Sequence, residues 1–181
     1  SLLNMIRQDI INGLQRADIP SDDVEAKADA FIEKPFSSEH LKAQISNLLS
    51  NRDLMRSTVI NSPYAHLPSV ASNSKDELFL EKMHDYVMSN LSNSSLSVES
   101  LADHMNMSLS TLFRKVKSTT SLSPNDFIRL CRLKKAAELL STGEKRVNEV
   151  AEEIGFTKAS YFASCFMKQF GMTPSEFIKM G

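Results

Sequence analysis

The hexapeptide SPNDFI, residues 123–128, returns fifty positions later as TPSEFI, residues 173–178. Both copies have the features of a helix start: a hydroxyl side chain that can cap free backbone N–H groups, followed by a proline suited to the first helical position. An acid two residues after each proline, Asp126 or Glu176, brings a negative charge to the positive end of the helix. The two copies therefore predict two helices that begin in the same way.

The residues upstream of these helix starts repeat as well. The segments SVESLADHMNMS, residues 97–108, and RVNEVAEEIGFT, residues 146–157, each predict a short helix with an alanine in its middle. Each helix is followed by a residue type that tolerates positive φ, Asn106 or Gly155. A second helix is predicted after each break, over residues 108–120 and 157–170. A helix, a tight turn and a second helix make a helix-turn-helix unit, and the sequence predicts two such units.

A long helix is predicted between the two units, over residues 123–140, with Gly143 just past its end. Eighteen residues at ~1.5 Å each give roughly 27 Å. Two helices that read one face of B-DNA need a separation near one turn, ~34 Å, which this helix and its flanking turns can provide. With another helix over residues 77–91, the chain is predicted to be mainly α, with tandem helix-turn-helix units joined by a long linker helix.

Charge is distributed unevenly along the chain although the formal net charge is only −1. Residues 76–107 contain six acids and one lysine, a net of −5, whereas residues 108–135 contain seven bases and one acid, a net of +6. The basic stretch favours a surface that faces an anion. A merely solvated charged helix face is the alternative interpretation.

The second helix of each unit has an apolar face and a polar face at 100° per residue. The apolar residues are Leu109, Leu112, Phe113 and Val116 in the first unit, and Ala159, Phe162, Ala163, Phe166 and Phe170 in the second. On the polar faces, small hydroxyl side chains allow close approach to a groove, Arg can bond a guanine edge, and Lys neutralises phosphate. The candidate DNA-binding residues are Ser110, Thr111, Arg114, Lys115, Lys117, Thr157, Lys158, Ser160, Tyr161, Ser164 and Lys168.

Several other classes of protein are not indicated. The two cysteines form no CxxC pair, and the histidines at 40, 66, 84 and 104 show no ligand spacing, so neither a disulfide framework nor a metal site is predicted. No run approaches eighteen apolar residues, so no membrane contact is expected. The sequence suggests no nucleophile, cofactor or nucleotide loop. We therefore expect a cytoplasmic protein that is not an enzyme, although a longer parent chain could carry a histidine kinase.

Residues 77–181 resemble the DNA-binding domain of the AraC/XylS family of bacterial transcription regulators. The resemblance rests on LADHMNMSLSTLFRKVK, SLSPNDFIRLCRLKKAAELL and VNEVAEEIGFTKASYFASCFMKQFGMTPSEF, which start at residues 101, 121 and 147. It implies double-stranded DNA as a partner and makes RNA polymerase a candidate partner. Three residues depart from the family pattern: Ser121 replaces a frequent Gly, Ser164 holds a place that can carry Arg, and Met167 replaces a frequent Lys. The last two predict a weaker grip on DNA by the second unit.

The N-terminal segment ADAFIEKPFSSEHLKAQISNLLSNR, residues 28–52, resembles the end of a two-component receiver domain. The resemblance implies a strand over residues 30–32 that ends in Lys34-Pro35, and a final helix over about residues 38–52. In that family the Lys contacts the phosphoryl group. A receiver's phosphoacceptor Asp lies farther upstream than the 33 residues that precede Lys34. We therefore expect a truncated α/β receiver remnant over residues 1–56, a linker over 57–76 and the DNA-binding domain over 77–181. The remnant is also a candidate homodimer contact.

The arrangement resembles the C-terminal end of a hybrid histidine kinase/response regulator of the Bacteroides type. The function it implies is a sequence-specific transcription regulator, the output module of a two-component phosphorelay. Two alternatives remain open on the sequence alone. One is an all-helical protein–protein adaptor whose basic face meets an acidic partner. The other is a phosphoacceptor signalling module, which would need a complete acidic pocket.

Overall fold

The computed structural model describes residues 37–93 and 96–180, and it divides the chain into two units between Ser50 and Asn51. The predicted receiver strand and the Lys34-Pro35 pair lie outside the described residues. Of the first unit only residues 37–50 are described, and from residue 38 they are helical. The second unit, Asn51–Gly181, contains both predicted helix-turn-helix units.

The described residues are mainly α-helical, as predicted, and contain no β-strand. They form helices α1 Ser38–Asn61, α2 Ser74–Ser89, α3 Val98–His104, α4 Leu109–Thr120, α5 Pro124–Ser141, α6 Val147–Glu153, α7 Ala159–Phe170 and α8 Pro174–Met180. A 3-10 turn at Leu67–Val70 lies between α1 and α2. Within this part of the chain, no helix combines the length and the apolar character that crossing a membrane requires.

The two predicted helix-turn-helix units are α3–α4 and α6–α7, and their turns are alike in every backbone hydrogen bond. Asn106 and Gly155 both have positive φ, 52° and 81°. The N–H of Met107 donates to Ala102 O at 2.9 Å, and the N–H of Phe156 donates to Ala151 O at the same distance. These bonds, with those from the N–H of Asn106 and Gly155 at 3.0 Å, make a Schellman motif in each unit. The repeat seen in the sequence is a repeat of backbone geometry.

The duplicated hexapeptides form helix N-termini, as predicted. The Oγ of Ser123 accepts from the N–H of Asp126 at 3.2 Å, and Thr173 Oγ1 accepts from the N–H of Glu176 at 3.2 Å. The Glu176 carboxylate in turn accepts from the Thr173 N–H at 2.7 Å, which completes a capping box. Hydrogen bonds from Ser123 first, and then Arg129, hold the pKa of Asp126 below its usual range.

Helix α5 joins the two units because its two halves belong to two different cores. Phe127, Ile128, Leu130 and Cys131 pack with α2, α3 and α4. Leu133, Ala136, Ala137 and Leu140 pack with α6, α7 and α8. The second core is rich in phenylalanine, and Phe166 meets Phe162, Phe170 and Phe177 at ring-centroid distances of 4.9–5.6 Å. Helix α5 thus contributes side chains to both cores, and this fixes the position of each unit along the helix.

Residues 57–76 differ from the open linker that their composition favours. Helix α1 continues nine residues past the predicted end at Arg52, and the hydroxyls of Ser57 and Thr58 bond back to Leu54 O. Leu67 and Val70 are buried and belong to the first core. Two apolar side chains in a polar segment are enough to attach it to α2, so this stretch packs onto the helix-turn-helix region.

Candidate nucleic-acid interface

The polar face of α4 is directed outward because the opposite face is anchored in the first core. Leu112 and Val116 are fully buried. On the opposite face of the helix, the side chains of Ser110, Arg114 and Lys117 are exposed. The Arg114 guanidinium makes no ion pair or hydrogen bond to any described residue, so its five N–H donors are available to a ligand.

The other candidate residues of the first unit are more constrained than Arg114. Thr111 is half-buried, and its Oγ1 lies 2.9 Å from Ser108 Oγ. The Lys117 ammonium donates to Ser121 O at 2.8 Å and remains exposed.

Lys115, a candidate DNA-binding residue that flanks the polar face, is engaged within the chain. Its ammonium pairs with Asp76 of α2 and lies 5.5 Å from the centre of the Phe79 ring. The hydrogen bond from Lys115 is the main reason why the pKa of Asp76 lies below its usual range. This side chain is turned toward α2, away from the side of α4 that carries Arg114.

The apolar face of α4 is narrower than its periodicity predicts. Leu109 and Phe113, which the sequence assigns to the core side, are each 42% exposed. Both lie at the edge of the outward face, where apolar side chains can contact a thymine methyl group or a sugar.

The outward face of α7 carries less charge than that of α4. Phe162 and Phe166 are fully buried, whereas Ser160, Ser164 and Lys168 are exposed. Thr157 and Lys158 are exposed just before the helix. Tyr161 is 57% exposed, and its ring lies 5.8 Å from that of Phe156.

The structure adds a basic cleft that the sequence reasoning did not identify. Arg129 and Arg132 of α5 line it together with Gly155, Thr157 and Tyr161. Arg132 is half-buried, burial lowers its pKa, and its Nε is buried without a partner among the described residues. The available signal was the spacing of Asn125, Arg129 and Arg132, which places three polar side chains on one face of α5.

The helix-turn-helix domain family matches residues 101–180, which include most of α3 and all of α4–α8. Among solved structures, the C-terminal domain of AraT, a response regulator from Geobacillus stearothermophilus, is 30% identical, with a TM-score of 0.51. That match covers 56% of this chain and 84% of the AraT domain. The chain belongs to the AraC/XylS family of helix-turn-helix proteins.

Two further relatives extend the comparison of this AraC-type chain. The DNA-binding domain of AdpA, a global transcriptional factor solved with a target DNA, is 28% identical, with a TM-score of 0.51, over 56% of this chain and 90% of that one. Histidine kinase P4 of Formosa agariphila is 34% identical over 154 residues, which are 85% of this chain and 11% of the kinase. The chain spans less than half the length of the curated relatives it matches.

Proposed function

We propose that this AraC-type chain binds specific duplex DNA sequences and regulates transcription as the output module of a two-component phosphorelay. The observation that carries the proposal is the pair of equivalent helices α4 and α7, each anchored by two buried side chains and each exposing hydroxyl and basic residues. The likeness to the AdpA domain, which was solved with a target DNA, supports it.

Helices α4 and α7 are proposed to read two successive major grooves. Both are attached to α5, whose eighteen residues extend for roughly 27 Å, within reach of one turn of B-DNA. Because one chain carries both recognition helices, binding requires no dimer. The basic cleft of Arg129 and Arg132 is proposed to face the phosphate backbone, since it also contains Tyr161 of α7.

The phosphorelay part of the proposal rests on two relatives, one a histidine kinase and the other a response regulator. The match to histidine kinase P4 extends well beyond the helix-turn-helix region, and AraT is a response regulator. We propose that the chain acts in the cytoplasm, by binding and not by catalysis. Residues 1–56 are proposed to be a receiver remnant. RNA polymerase, or a second copy of the chain, is proposed as a further partner.

Sequence discrimination is proposed to lie mainly in the first unit. A bidentate Arg–guanine contact discriminates against a wrong base by ~1–3 kcal/mol, whereas a lone Ser hydroxyl can bond several bases. Arg114 is exposed and free of ion pairs with described residues, while α7 offers Ser164 and the single charge of Lys168. The second unit should therefore contribute mostly affinity.

The test is a binding titration on a duplex selected from a random pool, repeated at several salt concentrations and on operators mutated in each half-site. Arg114→Ala should weaken binding and flatten the base preference in one half-site. Ser164→Ala should change little. Lys168→Ala should weaken all sequences about equally and lower the salt slope by about one.

Lys115→Gln is the matched control, because it removes the same charge from the same helix at a side chain turned toward Asp76. It should keep the base preference that Arg114→Ala loses. Retention of full discrimination by Arg114→Ala together with its loss in Ser164→Ala would contradict the division between the units. A wild-type chain whose duplex affinity is low and insensitive to salt would instead favour the adaptor alternative.

A further inference from the structure

A cluster of possible metal ligands lies on the exposed side of α2, remote in sequence from the recognition helices. Glu81, His84 and Asp85 are three and four residues apart, so one face of the helix carries all three. One ligand atom from each lies within 4.8 Å of those of the other two. The opposite face of α2 is fixed in the first core by Leu80, Met83 and Val87, which holds the cluster in orientation.

His66, which precedes the 3-10 turn, approaches the same cluster from outside the helix. Its Nε2 lies 2.9 Å from Glu81 Oε1, and its ring is 5.1 Å from that of His84, at an interplanar angle of 74°. The backbone around His66 is held by Ser69, whose N–H and Oγ both donate to His66 O, and by the buried side chain of Leu67. The fold therefore brings together two histidines that are eighteen positions apart in sequence.

His84 has a buried ring nitrogen that makes no hydrogen bond within the described residues. Its Nδ1 is buried without a hydrogen bond, and Asp85 Oδ1, which faces it, is 3.9 Å away. A buried imidazole nitrogen without a partner costs free energy that a bound ligand would recover.

We propose that His66, Glu81, His84 and Asp85 bind a divalent transition-metal ion, with Zn²⁺ the best match. Two imidazole nitrogens and two carboxylate oxygens are a donor set that suits zinc, whereas Mg²⁺ and Ca²⁺ prefer oxygen ligands alone. Tetrahedral zinc at ~2.0–2.1 Å places its ligand atoms roughly 3.3 Å apart. The ligand atoms of Glu81, His84 and Asp85 lie within 4.8 Å of one another, so the side chains would have to close around the ion, with His66 approaching from the Glu81 side. The ion replaces the hydrogen bond between His66 and Glu81, and the His66 ring then carries its proton on Nδ1.

Such a site would fasten the segment after α1 to the first helix of the AraC-type domain. His66 follows α1 by five residues, and α2 packs against α3, α5 and the 3-10 turn. Metal binding would stabilise this connection whether or not DNA is bound, so the proposal stands independently of the proposed function.

The experiment is a calorimetric titration of the whole chain with Zn²⁺ alone, together with thermal melting in Zn²⁺, in Mg²⁺ and with a chelator. Zn²⁺ should raise the melting temperature of the wild-type chain, and the increase should grow with Zn²⁺ concentration because the ion binds the folded state. Mg²⁺ should not raise it. Glu81→Gln and His84→Gln should each weaken Zn²⁺ binding by more than the roughly 10–100-fold that loss of an outer-shell partner costs. His66→Gln changes the most exposed imidazole of the cluster and tests the site even if the His84 variant is unstable.

His104→Gln is the matched control, because this exposed histidine stacks on Tyr86 at 4.2 Å and lies outside the cluster. It should bind Zn²⁺ as the wild-type chain does. Zn²⁺ binding of equal strength in the Glu81, His66 and His104 variants would overturn the proposal. So would a wild-type melting temperature that does not respond to Zn²⁺ well above the protein concentration.

Discussion

Gly155 occupies a turn that excludes any side chain for two separate reasons. Its φ of +81° is a conformation that L-residues with a Cβ rarely adopt. In addition, a Cβ at this position would collide with Leu91 O and would lie 3.1 Å from Arg132 Nη2. In the first unit Asn106 adopts the equivalent conformation with φ of 52°. The second turn is thus also a point of close approach between the loop after α2 and the cleft arginine of α5.

These two effects can be separated by comparing Gly155→Ala with Gly143→Ala. Gly143 has a similar φ, +69°, and a Cβ there would meet nothing within 4 Å. Gly143→Ala should cost about 1 kcal/mol of unfolding free energy through left-handed strain alone, and Gly155→Ala about 3 kcal/mol, because a backbone carbonyl must also move. Urea unfolding measures both. Equal losses would mean that the Leu91 contact contributes nothing.

At the scale of single residues, a backbone conformation can be predicted from the sequence where only a few residue types can adopt it. Positive φ at Asn106, Gly143 and Gly155 was predictable because few residue types tolerate it. Positive φ at Ser121 was not, since serine is common in many conformations. The Leu91 contact could not be predicted either, because it joins residues sixty-four positions apart.

At the scale of elements, the C-termini of the two recognition helices are equivalent in backbone and differ in residue. Ser121 ends α4 with φ of 66°, and Gly171 ends α7 with φ of 77°. In each case the N–H donates to the carbonyl four residues earlier, at 3.0 and 2.8 Å. Only the first of these caps carries a Cβ, so α4 ends with strain that α7 avoids.

Replacing Ser121 by Gly should therefore stabilise the chain, by about 1 kcal/mol, since the left-handed conformation no longer carries a steric cost. The reciprocal change Gly171→Ser should destabilise it by a similar amount, because the space around Gly171 is open and strain alone is added. Thermal melting of the two single variants and of the double variant provides the check. A Ser121→Gly variant no more stable than the wild type would show that the cap is not strained.

How well the helix boundaries can be predicted also depends on the residue types at the helix ends. The sequence predicts α3 to α8 within about two residues, because hydroxyl caps begin α3, α4, α5 and α8 and left-handed residues follow the ends of α3 to α7. It ends α1 too early, since Ser57 and Thr58 have the composition of a linker yet bond back to the helix. In the candidate interface, likewise, the environment of one side chain follows from the sequence and that of another does not. Periodicity predicts the exposed Arg114, whereas the pairing of Lys115 with Asp76 depends on how α4 packs against α2.

At the scale of the whole second unit, the end of α1 is tied to both helix-turn-helix units through side chains. The Lys134 ammonium of α5 donates to Val59 O at 2.8 Å, to Ala65 O at 2.9 Å and to Ser62 O. Gln169 of α7 donates to Ile60 O at 3.0 Å, and Arg56 reaches Ser118 O of α4 at 3.5 Å. The last carbonyls of a helix have no partner within it, and a lysine at this end also meets the negative pole of the helix dipole. The end of α1 within this unit is therefore attached by side chains to α4, α5 and α7.

Lys134→Met tests this connection, because it keeps the volume of the side-chain stem while removing all three donors. The unfolding free energy should fall by about 2–3 kcal/mol, since several partly buried carbonyls lose a charged donor at once. Hydrogen exchange should become faster over residues 62–71, which the lost bonds no longer hold. Lys135→Met, one position along the same helix, removes an ammonium that only pairs with Glu138 at 2.6 Å, so it should cost under about 0.5 kcal/mol and leave that exchange unchanged. Equal hydrogen-exchange rates over residues 62–71 in the two variants would mean that the end of α1 is held by apolar packing of its own residues. The hydrogen bonds of Lys134 would then not be needed to hold it against α5.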